Sequence, residues 1–246
     1  MVHKFLAAAG LAAMIAAASP AWAQMPPAVD AAVNDAARPE ADKARDADRK
    51  PAEMLAFADV EPGDVVLEML PGGGYFTRIL ARAVGPQGKV YAAQPPAADP
   101  AKPPPIVAVA EQYDNVTVIP ARVGALEVAE PVDVIWTAQN YHDFHLARLN
   151  LDVAAVNRNL FETLKPGGTL LVIDHAAAAG APLEAADSLH RIDPAKARAE
   201  IEAAGFEFVA ESDALRNPED TRTVGVFDPA IRGKTDQFVF KFRKPE

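Results

Sequence analysis

The chain has 246 residues, with 24 Lys and Arg against 34 Asp and Glu, so its formal net charge is −10. Such acidity repels a phosphate backbone, and no Lys/Arg cluster stands against it, which argues against a nucleic-acid partner. There is no cysteine, which excludes disulfides, thiolate metal sites and a cysteine nucleophile, while 50% hydrophobic and 24% charged residues are the composition of a globular protein.

Residues 1–23 read MVHKFLAAAGLAAMIAAASPAWA. Lys4 precedes an apolar run over 5–17, and Ser19, Pro20 and Ala21-Trp22-Ala23 follow. This layout predicts a secretory signal peptide cleaved after Ala23. The run is short for a hydrocarbon core, so no stable membrane anchor is expected after cleavage. The expected location is periplasmic or secreted.

Residues 24–50 read as a lead-in, Ala/Pro-rich and flexible at first, then helical. Its charges, Glu40 to Lys50, are expected on a solvated helix face. Residues 51–246 read as one domain. Pro51 opens a helix with Met54, Leu55 and Phe57 as its apolar face. Short apolar runs predict strands at 65–67, 90–93, 116–119, 132–137, 169–173, 206–210 and 238–242. Helices are expected at 75–84, before Tyr113, over 146–164 and over 194–204, the last stopped by Gly205. Residues 95–105 form a Pro-rich loop, and Lys165-Pro166-Gly167-Gly168 ends the helix over 146–164. Strands alternating with helices predict an α/β three-layer sandwich with a mainly parallel sheet.

After the first strand comes Glu68-Met69-Leu70-Pro71-Gly72-Gly73-Gly74-Tyr75. Glycines at this point let the backbone approach a ligand, and the following helix start offers free N–H groups. The segment resembles the first motif of class I S-adenosylmethionine-dependent methyltransferases. The resemblance continues at 89–94, 131–136 and 159–170, and spans roughly residues 51–242. Pro71 to Tyr75, Asn140-Tyr141-His142-Asp143 and Arg232 to Asp236 further resemble a bacterial subgroup of exported predicted methyltransferases.

The resemblance implies a Rossmann-like methyltransferase fold with seven strands, the last antiparallel, and S-adenosylmethionine as cofactor. It implies that Gly72, Gly73 and Gly74, with Pro71, hold the methionine part, that Glu68 positions it, and that Gln94 bonds the ribose. Leu70 stands where the motif's first glycine is expected. Gln94 and Arg122 stand where acidic residues normally meet ribose and adenine. Arg122, Asn140 and Tyr141 are expected with these among the cofactor-binding residues, and the loop after the fourth strand would also touch the methyl acceptor.

His142 and His145 lie in that loop, and a histidine there is suited to general-base work. His142 is the expected base, with His145 beside it. Asp174 and His175 end the fifth strand at the same edge. A metal site from His142, His145, Asp174 and His175 is the lesser alternative, since His-x-x-His is not diagnostic. Tyr141 is read as a cleft aromatic. The tail, 215–236, is expected to fold over the cleft, with Arg216 or Arg232 meeting an anionic group. Two functions stay open: an exported methyltransferase acting on a small molecule or envelope component, and a non-catalytic binding protein on the same scaffold.

Protein recovered from the native cell envelope should begin at Gln24 by N-terminal sequencing. Finding Met1 or Val2 intact on the mature, active pool would remove the export assignment.

Overall fold

The computed structural model describes residues 25–246, and the signal-peptide expectation lies outside them. Seven strands form one sheet: β1 (Val65–Met69), β2 (Lys89–Gln94), β3 (Val116–Pro120), β4 (Val132–Ala138), β5 (Leu164–His175), β6 (Glu207–Ser212) and β7 (Gln237–Arg243), in the spatial order β3-β2-β1-β4-β5-β7-β6. The first five pair in parallel, and β7 runs antiparallel to both β5 and β6. The sheet is therefore mixed: its pairings other than those of β7 are parallel, and β7 is the antiparallel last strand that the resemblance implied. β7 returns as the partner of a β6 that entered from α9, and sits between β5 and β6 as a hairpin-like closure.

The helices are α1 (Pro27–Val33), α2 (Glu40–Lys43), α3 (Asp46–Arg49), α4 (Pro51–Phe57), α5 (Tyr75–Val84), α6 (Pro105–Ala110), α7 (Val153–Thr163), α8 (Ala185–Leu189) and α9 (Pro194–Ala203). One face of the sheet is buried under α1, α4, α5 and α6 through residues such as Val29, Met54, Ile79 and Ile106, packed on Val66, Val134 and Trp136. The other is buried under α7 and α9 through Val156, Leu160 and Ile201, packed on Leu67, Ile135 and Leu170. Residues of the central strands alternate between these two cores, which is why those strands read as continuous apolar runs, whereas the edge strands β3 and β6 are partly exposed.

Two local expectations change. The helix foreseen over 146–164 begins later, as α7, because Asn150 takes φ +45° and Asp152 caps the new start by accepting from Ala155 N. The segment Lys165-Pro166-Gly167-Gly168 belongs to β5 rather than to a turn before it. It forms an irregularity in the strand: Val132 pairs with Leu164, whereas Val134 pairs with Thr169.

The lead-in charges lie only in part on a solvated face: Glu40, Arg45 and Asp48 are exposed, whereas Asp42, Asp46 and Arg49 are partly buried. α1 places Val29 and Ala32 in the core. Arg38 is 2% exposed, with Nη1 and Nη2 donating to Asp46 at 2.8 and 2.6 Å and Nη1 to the Val33 carbonyl. The Tyr75 hydroxyl donates to the same carboxylate at 2.6 Å. Arg78 donates to Asp42 at 3.0 Å and to the Gly73 and Gly74 carbonyls at 2.9 Å. The charges of 38–49 thus dock this segment on α5.

Asp46→Ala should cost about 3–5 kcal/mol, because it strands the buried Arg38 guanidinium. Urea unfolding measures this, and an unchanged midpoint would show that the docking does not matter for stability.

Candidate functional site

The order of strands reverses between β1 and β4, and a crevice opens at their carboxyl ends. Both strands end in strained backbone there: Leu70 has φ +51° and Gln139 φ +64°. A non-glycine residue in this left-handed region costs about 1–3 kcal/mol and needs surrounding bonds to hold it. Those bonds are present. Leu70 N donates to Ala93 O at 2.9 Å, Gln139 N to Ile173 O at 2.6 Å, and Asn140 Nδ2 to Met69 O at 3.0 Å.

A chamber of about 250 Å³ lies against this turn. Its wall includes Asp42, Arg45, Arg49, Glu68, Gly72 and Gly73. Pro71, Leu70, Gln139 and Asn140 complete the side nearest the strands. At Gly72 and Gly73 a Cβ would meet no atom within 4 Å, so the turn leaves open space. Gly74 instead abuts Val109 and starts α5 at φ +77°. Glu68 is buried, and burial pushes its carboxyl up to about 7, against the lowering effect of a 2.5 Å bond from Thr77 Oγ1.

A second chamber, about 460 Å³, adjoins the first and shares Arg45, Arg49 and Gln139 with it. His175, Phe227, Arg232, Gly233 and Gln237 line its other side. Arg49 Nη2 donates to Gln139 Oε1 at 2.8 Å, and Gln139 Nε2 to Gln237 Oε1 at 3.0 Å, so a polar chain crosses the boundary. Among the described residues Arg49 has no carboxylate in its hydrogen bonds; burial, then the Arg45 charge, lowers its guanidinium to about 10. Its guanidinium lies 4.7 Å from the Tyr75 ring centroid, with Arg45 at 5.3 Å.

The histidines separate. His142 is buried; its backbone N and ring Nδ1 donate to the fully buried Asp174 at 2.6 and 2.8 Å. Burial alone would lower its pKa, but the Asp174 carboxylate, with Asp143 behind it, raises it. His145 Nε2 donates to Glu200 on α9 at 2.9 Å, on the far side from the chambers. Neither ring lines either chamber. Their catalytic role stays an expectation from the sequence, while the placement of His145 against Glu200 dissolves the metal set that included it. His175 does line the second chamber; burial lowers it to about 4, and its Nδ1 pairs with Thr235 Oγ1 at 2.7 Å.

Tyr141 is fully buried, not a cleft aromatic. Its hydroxyl accepts from Asn157 Nδ2 at 2.8 Å and faces Glu200, inside the α7/α9 core. Gln94 ends β2, but its amide turns to the Pro95 carbonyl at 3.3 Å and leaves the chamber wall. Arg122 is exposed beyond β3, at the sheet edge, two strands from β1. Of the tail arginines, Arg216 is held by Asp236 through bonds of 2.9 and 3.1 Å, whereas Arg232 lines the second chamber. Arg45 and Arg49 went unforeseen; their spacing of four is the one sequence signal that sets them on the same face.

No family model matches the chain, and no curated protein does. Solved structures do. A SAM-dependent methyltransferase from Aquifex aeolicus is 20% identical, with a TM-score of 0.57 over 83% of this chain and 97% of that one. Fibrillarin from Aeropyrum pernix, solved with natively bound S-adenosyl-L-methionine, is 17% identical, with a TM-score of 0.54 over 80% of this chain and 76% of that one. The [4+2]-cyclase SpnF is 16% identical, with a TM-score of 0.57 over 83% and 81%. At such identities the likeness establishes the fold: Rossmann-like, of the kind that SAM-dependent methyltransferases adopt.

Glu68 gives this site a pH signature. Its folded value of about 7 exceeds the ordinary 4.5, so the unfolded chain releases this proton first. Its contribution to stability is full below pH 4.5 and is lost as pH rises through 7, by up to about 3 kcal/mol. Glu68→Gln should flatten that loss in urea midpoints taken from pH 4.5 to 8. Parallel curves for both proteins would show that Glu68 ionises freely.

Proposed function

We propose that this chain is an exported S-adenosylmethionine-dependent methyltransferase acting on an anionic small molecule or envelope component. The observation that carries the reading is the open glycine turn beside buried Glu68 at the carboxyl end of β1. The first chamber pairs two carboxylates, Asp42 and Glu68, with two guanidiniums, Arg45 and Arg49. That balance fits the zwitterionic amino-acid end of the cofactor. Arg49 would meet its carboxylate, Glu68 and Asp42 its ammonium, and the Gly72–Gly73 backbone would lie along it. When bound, S-adenosylmethionine supplies an electrophilic methyl group on a sulfonium. A nearby cation also favours the ionised form of Glu68, so cofactor binding should release a proton there.

The second chamber would hold the acceptor. Arg45, Arg49 and Arg232 on its wall outnumber its carboxylate, Asp48, and favour an acceptor bearing a carboxylate or phosphate. The shared boundary of Arg49 and Gln139 would orient the acceptor toward the donor. Gln94 and Arg122, both off the wall, favour the second reading, a binding protein without the usual ribose clamp.

Calorimetric titration with S-adenosylmethionine and S-adenosylhomocysteine tests this. Gly73 has no left-handed φ, so Gly73→Val should fold normally yet bind at least about 10-fold more weakly, because its side chain enters the open space. Arg232→Ala should leave this binding intact, since Arg232 lines only the second chamber. Equal affinity in wild type and Gly73→Val would displace the site from the turn. Binding without transfer of a labelled methyl group to any anionic acceptor would leave the binding-protein reading.

A further inference from the structure

A group of side chains behind the second chamber has no part in the reading above. His142 begins the 3₁₀ turn after β4, Asp143 follows it, and His190 ends α8 in a left-handed conformation, φ +54°. Asp143 Oδ1 lies 3.4 Å from His142 Nε2 and 4.0 Å from His190 Nδ1. One ligand atom from each of the three falls within 4.8 Å of the others. Donor atoms around one zinc ion, each about 2.0–2.2 Å from it, stand roughly 3–3.6 Å apart. The cluster therefore needs a contraction of about 1 Å to close on an ion, and the partly exposed Asp143 and His190 are the side chains that would move toward the buried His142.

The outer groups are arranged for ligation as well. Asp174 is fully buried and accepts from His142 Nδ1 at 2.8 Å, from His142 N at 2.6 Å and from His175 N at 2.7 Å. A carboxylate on Nδ1 fixes the ring and leaves Nε2 as the coordinating nitrogen. Here Nε2 is the atom directed at Asp143. Asp143 is itself partly buried, and among the described residues its ion pairs are with these two histidines alone. The His142 and His190 rings meet at 90° with centroids 5.5 Å apart, so both reach one point without stacking. Phe227 packs on His190 at 4.9 Å and also lines the second chamber.

We propose that His142, Asp143 and His190 form a binding site for a divalent transition metal of the zinc class, oriented by Asp174 and set against the wall of the second chamber. Two imidazoles and one carboxylate are ligands that zinc accepts, with water in the remaining position. The site replaces the four-residue set expected from the sequence, keeping only His142 as a ligand. It does not depend on whether the turn binds S-adenosylmethionine.

The test uses the untagged chain, stripped with a chelator and titrated with zinc chloride by calorimetry, with cobalt(II) as a visible-absorption probe. One equivalent should bind per chain. His190→Ala, a partly exposed position, should keep the far-ultraviolet dichroism of wild type while weakening zinc at least about 10-fold and changing the cobalt spectrum. Asp143→Asn should do the same. Asp174→Asn, which touches no ion, should weaken zinc by about 10–100-fold with stoichiometry retained at high zinc, the mark of a positioning residue. Substoichiometric uptake by wild type, or zinc bound as tightly by His190→Ala as by wild type, would overturn the site.

Discussion

The crevice exists because β1 and β4 are neighbours whose following segments leave in opposite directions. β1 runs through the glycine turn into α5 on one face; β4 runs through the 3₁₀ turn toward α7 on the other. Nothing covers the gap from within the sheet. The strands end in left-handed Leu70 and Gln139, and Asn140 ties one end to the other through the Met69 carbonyl. The chambers and the buried Glu68 depend on this junction. The strain at Leu70 and Gln139 is held by backbone bonds to Ala93 and Ile173, so it is built into the sheet rather than into a loose loop.

The charge of the molecule and the charge of its crevice differ in sign. The chain is acidic overall, at −10, yet Arg45, Arg49 and Arg232 gather at the second chamber. One carboxylate, Asp48, shares that wall with the three guanidiniums, while nearby Asp46 holds Arg38 and Tyr75, and Asp236 holds Arg216 and Arg222. A local cationic crevice in an acidic protein selects anions by position, not by bulk attraction, and its effect is least screened where the guanidiniums are partly buried.

The strands and the glycine turn were legible because both are local. Apolar runs mark strands buried on both faces, and consecutive glycines mark a turn whatever lies around it. The details that failed depend on distant partners. Tyr141 looked like a cleft residue because it follows β4, but Asn157 and Glu200 draw its hydroxyl into the core. His145 is drawn away by the same Glu200, three residues from His142 in the chain but on another face. The charge run over 40–50 looked solvated because no periodicity reveals that Asp46 will meet Arg38 and Tyr75, or Asp42 meet Arg78. His190 and Asp143 carried no motif together; only the fold of α8 against the 3₁₀ turn brings them near His142.

Fold likeness extends here to methyltransferases and to a cyclase, so the reaction must be argued from the site. The central claim is that the Gly72–Gly73 turn and Glu68 hold the amino-acid end of S-adenosylmethionine. The most direct measurement is a crystal structure of the chain grown with S-adenosylhomocysteine. The account predicts density in the chamber against Gly72 and Gly73, with the ligand's carboxylate at Arg49 and its ammonium at Glu68. Density for the ligand elsewhere on the molecule, with the turn chamber filled by solvent, would contradict it.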